Sequence, residues 1–274
     1  MKKIVLALDG NHFPKGAFEM AAWLNQQEPI LATGVFLNPV DISKIVAYTG
    51  LEAVPLMPEM IDDTYAEKVN ENIKRFEEHC IAEGIDFRIH NDAEQLPIAS
   101  LIRESRFADM ILISRDSFFS NISKIQPNEY MQELLKKTEC PVLIIPDAFI
   151  MPEEILLMYD GEASSVFSIK QFAYLLPEMK QLPVTLMQLV AHGDGAVTEE
   201  DAVSELAARH FADLTIEHLQ VHDKSVFPAL LSGERKTLVV MGAYGRSLFS
   251  NLFKKSFADE VIENTTIPLF ITHT

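Results

Sequence analysis

The chain has 274 residues, of which 48% are apolar and 23% charged, and a net charge of −17 at pH 7. That is the mix of a soluble globular protein with room for two ordinary domains. So acidic a surface argues against nucleic acid or an anionic membrane as partner, because phosphate groups are bound through Lys and Arg.

Cys80 and Cys140 form no CxxC or metal-ligand pattern, which speaks against a disulfide framework and fits a reducing cytoplasm. The opening apolar run, closed by Asp9 and Gly10, is too short for a signal-peptide core, and no stretch approaches a membrane span. A cytoplasmic location is expected.

In chain order, KIVLALDG (3–10) reads as a buried strand ending in Asp-Gly, followed by a helical pattern to about Leu24. ILATGVFL (30–37) is a second strand. An insertion over 38–63 follows, with three prolines, and reads as a lid, a partner surface or a long loop. Residues 62–84 place Tyr65, Val69, Ile73, Phe76 and Cys80 on one stripe at helical spacing, with Gly84 as a stop. DFRIHN (86–91) is a third strand. Leu96-Pro97 opens a short helix, Pro standing at a first-turn position that needs no N–H. ADMILIS (108–114) and CPVLIIPD (140–147) complete a set of five strands.

The plan then repeats. EILLMYDG (154–161), a helix near 165–176, VTLMQLVA (184–191), a helix near 199–211, LTIEHLQVHD (214–223), Phe227-Pro228, KTLVVMG (236–242) and IPLFITHT (267–274) recur in the same order. Thr198-Glu-Glu-Asp201 is similar to a capping box with Asp in the last place. Short apolar strands separated by helices imply parallel sheets covered on both faces. The expectation is an α/β chain of two tandem doubly wound domains, 1–148 and 149–274, each with a five-stranded parallel sheet. Their charges are similar, −9 and −8.

Ligands of open parallel sheets bind outside the carboxyl ends of the strands. Asp9-Gly10, Asp160-Gly161 and the loop from Gly242 to Gly245 all fall there. Glycine brings backbone N–H groups close to an anion, and the helix expected from about Ser256 aims its N-terminus at the same place. Between Arg235 and Ala258, the basic residues Arg235, Lys236, Arg246, Lys254 and Lys255 meet no acid, whereas three basic and three acidic residues cancel over Arg106–Tyr130. The copy with the glycines thus also carries the positive charge. A solvated helix end with clustered lysines is the competing reading.

With Asp-Gly after the first strand, ADMILIS and LVVMG before the glycine loop, and CPVLIIP closing a copy, the sequence resembles the universal stress proteins. It resembles a tandem of two such domains over essentially the whole chain, which implies Rossmann-like domains of the adenine nucleotide alpha hydrolase type. Nucleotide-binding members of that family carry Gly-x2-Gly-x9-Gly-Ser/Thr after the fourth strand. Here the frame reads Gly242-Ala-Tyr-Gly245, nine residues, then Lys255-Ser256, so lysine replaces the third glycine.

Carried over residue by residue, the resemblance implies ATP, with Mg as a companion, in the second copy. Asp160 would meet the adenosine end and the backbone at Leu189 the adenine edge. Gly242 and Gly245 would wrap the ribose and phosphates, and Ser256 would donate to a phosphate oxygen. At Lys255, either the Cβ blocks close backbone approach or the ammonium replaces the lost contact with a charge. In the first copy Asp9 is kept, but Ser114-Arg-Asp-Ser117 lacks the glycines, Asp116 adds a negative charge, and Gln126 or Pro127 stands where Gly-Ser is expected. That copy is expected to have lost the nucleotide site. The resemblance also implies edge-to-edge pairing of the two final strands, an internal pseudo-dimer, with a homodimer left open.

Walker-type, GxSxG and HExxH motifs are missing from the sequence. His218 and His222 would lie about 13 Å apart along a strand, too far to share a metal. No base–nucleophile pair stands out, so no catalytic residue is assigned and slow hydrolysis is the most expected. The function expected is a cytoplasmic stress-response protein with an adenine nucleotide as regulatory ligand. The alternative is a nucleotide-independent protein acting through a protein partner, met by the 38–63 insertion. An adenylate-transferring enzyme is the third reading.

Overall fold

The computed structural model describes residues 1–37, 63–91, 97–120, 127–191, 199–221, 236–242 and 257–272. Residues 38–62 of the insertion and Phe227-Pro228 lie outside them. The strands are β1 (Lys2–Leu8), β2 (Ile30–Phe36), β3 (Asp86–Asn91), β4 (Met110–Ser114), β5 (Val142–Ile145), β6 (Glu154–Tyr159), β7 (Val184–Ala191), β8 (Leu214–Val221), β9 (Thr237–Gly242) and β10 (Leu269–Thr272). Between them lie α1 (Lys15–Gln27), α2 (Asp63–Ala82), α3 (Pro97–Ser105), α4 (Glu129–Lys137), α5 (Ala163–Leu175), α6 (Glu200–His210) and α7 (Phe257–Asn264).

All ten strands form one sheet in the order β3-β2-β1-β4-β5-β10-β9-β6-β7-β8. Each half steps outward from β1 or β6, then returns to the other side, so strand order reverses between β1 and β4 and again between β6 and β9. Every pairing is parallel except that of β5 with β10, where Leu269 faces Ile144, Phe270 faces Leu143 and Ile271 faces Val142. These seam residues are apolar and at most 1% exposed. Each half thereby covers the other's edge, which alone would present unpaired N–H and C=O groups.

Side chains alternate across the sheet. On β1, Ile4, Leu6 and Leu8 pack with α1 and α2, while Val5 and Ala7 join the core under α3 and α4. The second half follows suit: Ile155, Leu157 and Tyr159 of β6 meet α5 and α6, and Val239 and Met241 of β9 share the opposite core with Val261 and Ile262 of α7. Phe76 anchors the first half, edge-on to Phe18, Phe36 and Phe87 at centroid distances of 6.2, 6.1 and 6.0 Å. Phe172 of α5 packs on Phe270 at 5.5 Å and ties the second half to the seam.

The helix expected near 199–211 runs from Glu200 to His210, entered from Glu199 in the left-handed region at φ 54° with no side-chain capping bond of its own. Thr198, on which the expected capping box rests, lies outside the described residues. Among the described residues, no helix is long and apolar enough to cross a membrane.

Candidate functional site

The strand registers bring three of the expected residues together. Tyr159 of β6 pairs with Gln188 of β7, so Asp160 and Leu189 come next on adjacent strands. On the other flank Leu157 pairs with Val240, which sets Gly242 level with Tyr159. Asp160, Leu189 and Gly242 therefore stand at the carboxyl ends of neighbouring strands, at the reversal of strand order where ligands of such sheets bind. Gly245, Lys255 and Ser256 lie outside the described residues.

Asp160 is half-buried, and among the described residues its carboxylate accepts one bond, from the Glu162 N–H at 3.2 Å. Gly161 closes this turn at φ 84°, a conformation that favours glycine. Leu189 is buried in the core that also holds Met158, Met187 and Met241. Gly242 has a packing reason of its own: a Cβ there would lie 2.6 Å from the Ser164 carbonyl carbon and 2.8 Å from the Ser165 nitrogen, in the first turn of α5. Its glycine is thus required by the close approach of strand and helix, a role that the ligand-based expectation omits.

In the first half the same place is closed by the protein itself. Asp9 is 2% exposed. Its carboxylate accepts the backbone N–H groups of Asn11, His12 and Phe119 at 3.0, 2.9 and 3.1 Å, and it meets His12 Nδ1 at 2.9 Å. Phe119 takes a left-handed φ of 53° to deliver that N–H. Its ring is fully buried, 4.2 Å from the Tyr130 centroid and 4.8 Å from that of Phe118. The N-terminus of α4 has a cap of its own. Asn128 Oδ1 accepts from Met131 N at 3.0 Å, its Nδ2 donates to the Phe118 carbonyl at 2.6 Å, and Glu129 supplies a negative charge. The cap and the charge both disfavour an anion at this helix end.

Ser114, the counterpart of Gly242, donates its hydroxyl to Asp147 Oδ1 at 2.8 Å and accepts from the N–H groups of Asp116 and Ser117. Burial pushes the Asp147 carboxyl above its ordinary range, with the Asp116 charge adding to the rise and the Ser114 and Ser117 hydroxyls opposing it. Beside it, a cleft of about 440 Å³ is lined by His12, Lys68, Glu71, Arg75 and Asp147. Acids and bases balance there, and Arg75 lies over the Phe13 ring at 4.3 Å. His218 pairs with Glu200 at 3.0 Å on the surface, and no group of three potential metal ligands occurs among the described residues.

Sequence reading missed the parts played by Phe119, His12 and Arg115. The adjacent aromatics Phe118 and Phe119 of SRDSFFSN were the available signal for Phe119. The position of His12 three residues after Asp9 was the signal for their pairing. Nothing local marks Arg115, whose guanidinium reaches the Ile262 and Glu263 carbonyls in the other half.

No protein-family model matches the chain. Over 98% of its length, and 99% of the relative's, it is 22% identical to a universal stress protein of Synechocystis. The solved structure of a universal stress protein from Archaeoglobus fulgidus matches 99% of this chain and 96% of its own, with a TM-score of 0.70 at 15% identity. A Pseudomonas aeruginosa structure matches with a TM-score of 0.56 at 13% identity, covering 100% of this chain and 93% of its own. Over nearly its whole length the chain is thus similar in sequence to a universal stress protein, and it shares the fold of solved universal stress proteins.

Proposed function

We propose that residues 149–274 form a domain that binds ATP or a related adenine nucleotide as a regulatory ligand, and that residues 1–148 form a partner domain that has given up this site. The protein then acts in the cytoplasm as a stress-response switch whose surface or partner choice follows nucleotide occupancy. The observation that carries this reading is the contrast between two equivalent carboxylates. Asp9 is buried and saturated by protein donors, whereas Asp160 stays half-exposed beside Leu189 and Gly242. The acid-free stretch Arg235–Ala258 adds the positive charge that a polyphosphate needs. Gly245 and Ser256 supply the loop, with Lys255 as a charged phosphate contact.

Calorimetric titration of the full chain with Mg-ATP tests this, with Gly245→Asp as control. The expected result is a stoichiometry near one that the variant loses. Absence of heat from the unaltered protein refutes nucleotide binding and returns the function to a protein partner.

A further inference from the structure

We infer that Arg115, in the loop where the first half lacks the glycines, positions the helix that follows the second half's phosphate loop, so that one nucleotide is felt by both halves. The inference rests on the nucleotide reading above and assigns its regulation.

Helix α7 begins one residue after Ser256. It has only eight residues, and its last turn carries no basic side chain. A short helix is marginal without outside contacts, and its terminal carbonyls require donors and favour positive charge. Thr265 Oγ1 donates to the Val261 carbonyl at 2.8 Å. The next two carbonyls are met from the other half of the molecule: Arg115 Nε donates to Ile262 O at 3.2 Å and Nη2 to Glu263 O at 3.4 Å.

Arg115 is itself firmly seated. Its side chain is 14% exposed and its Nη1 lies 2.8 Å from Asp116 Oδ1. Its backbone N–H donates to Ile145 O, and Asp116 Oδ2 takes the Asp147 N–H, each at 2.8 Å. The same loop reaches Asp9 through the Phe119 N–H. The equivalent helix of the first half needs no such help, since α4 has Lys136 and Lys137 in its own last turn and Asn128 at its start. One copy of this helix is self-capped and the other is capped across the seam.

A nucleotide that orders the start of α7 thereby favours the Arg115 contact at its end, and by linkage Arg115 favours the nucleotide. The test compares the full-length protein with Arg115→Ala and Arg115→Lys by Mg-ATP calorimetry and by amide exchange with and without Mg-ATP. Arg115→Ala should weaken ATP by about three- to tenfold, on the scale of a charge at a partly buried helix terminus. Arg115→Lys, which keeps the charge but cannot fork, should recover part of it; should the alanine variant not fold, the lysine variant carries the comparison. Mg-ATP should also slow exchange at Ser117 and Phe119 in the unaltered protein, a first-half effect that a merely stabilising arginine would not produce. Equal ATP affinity in all three proteins, with binding intact, overturns the coupling and leaves the nucleotide site standing. An unaltered protein that binds no ATP overturns both.

Discussion

Replacing each of the two equivalent aspartates with alanine should have opposite consequences. Asp9→Ala strips a buried carboxylate from the N–H groups of Asn11, His12 and Phe119, at 2.9–3.1 Å. It also removes the partner of His12 Nδ1. Hydrogen bonds to a charged acceptor contribute roughly 1.5–3 kcal/mol each, and leaving a buried donor unmet costs about 1–3 kcal/mol. These terms are not additive, and breaking a buried charged cluster typically costs about 3–5 kcal/mol. Asp160→Ala removes one 3.2 Å bond from a half-exposed turn, for about 0.5–1 kcal/mol.

With a urea m-value of about 2 kcal/mol/M for a unit of this size, the midpoint of the first half should fall by roughly 2 M in Asp9→Ala and that of the second by about 0.5 M or less in Asp160→Ala. Trp23, the single tryptophan, packs against the core of the first half from α1 and reports that half by fluorescence. Far-UV circular dichroism reports both. Asp160→Ala should lose nucleotide affinity while Asp9→Ala, below its unfolding transition, keeps it. Equal stability losses in the two variants would refute the claim that the first half has turned a ligand contact into an internal brace.

Gly242→Ala should cost about 1–3 kcal/mol, the usual range for overpacking, because the added Cβ meets backbone atoms of Ser164 and Ser165 within 2.8 Å; thermal unfolding of the nucleotide-free protein checks it. Asp147 titrates above its ordinary range when folded, so the folded state holds the extra proton, and its contribution to stability is present at low pH and lost as pH rises through that raised value. Asp147→Asn should therefore gain stability relative to the unaltered protein as pH climbs from the ordinary aspartate range towards neutrality, read as urea midpoints against pH. Burial pushes the thiols of Cys80 and Cys140 up to about 12, so both should resist iodoacetamide at pH 7.5 in the folded protein and react readily in urea. Rapid modification of Cys80 without urea would show that the α2 core opens easily.

Much of the fold is legible in the sequence because it rests on local pattern. The run of DFRIHN marks β3 at 86–91, Pro97 starts α3, and the stripe from Tyr65 to Cys80 foretells α2 within a residue or two of Asp63–Ala82. Pairing of β5 with β10 was implied by the family resemblance, and it covers the edges of two strands that carry no charge. The closure of the first half was legible in outline only. The missing glycines and the added Asp116 point to a lost site, but not to what fills it. Phe119 shows why: its role depends on a left-handed backbone and on a carboxylate 110 residues away. Arg115 depends on carbonyls 147 and 148 residues distant, and backbone carbonyls carry no sequence signature. Glu199 likewise enters α6 from a left-handed conformation that a polar run of Thr, Glu and Asp does not announce.

Everything proposed for function depends on a nucleotide at the strand ends of the second half and none at those of the first. Photolabelling the full-length protein with 8-azido-ATP, followed by peptide mapping with ATP as competitor, tests it most directly. ATP-protected label is expected on peptides from β7 or from the stretch 242–256, and none on peptides carrying Asp9 or Phe119. Label on the first-half peptides, or label that ATP does not displace, would contradict it.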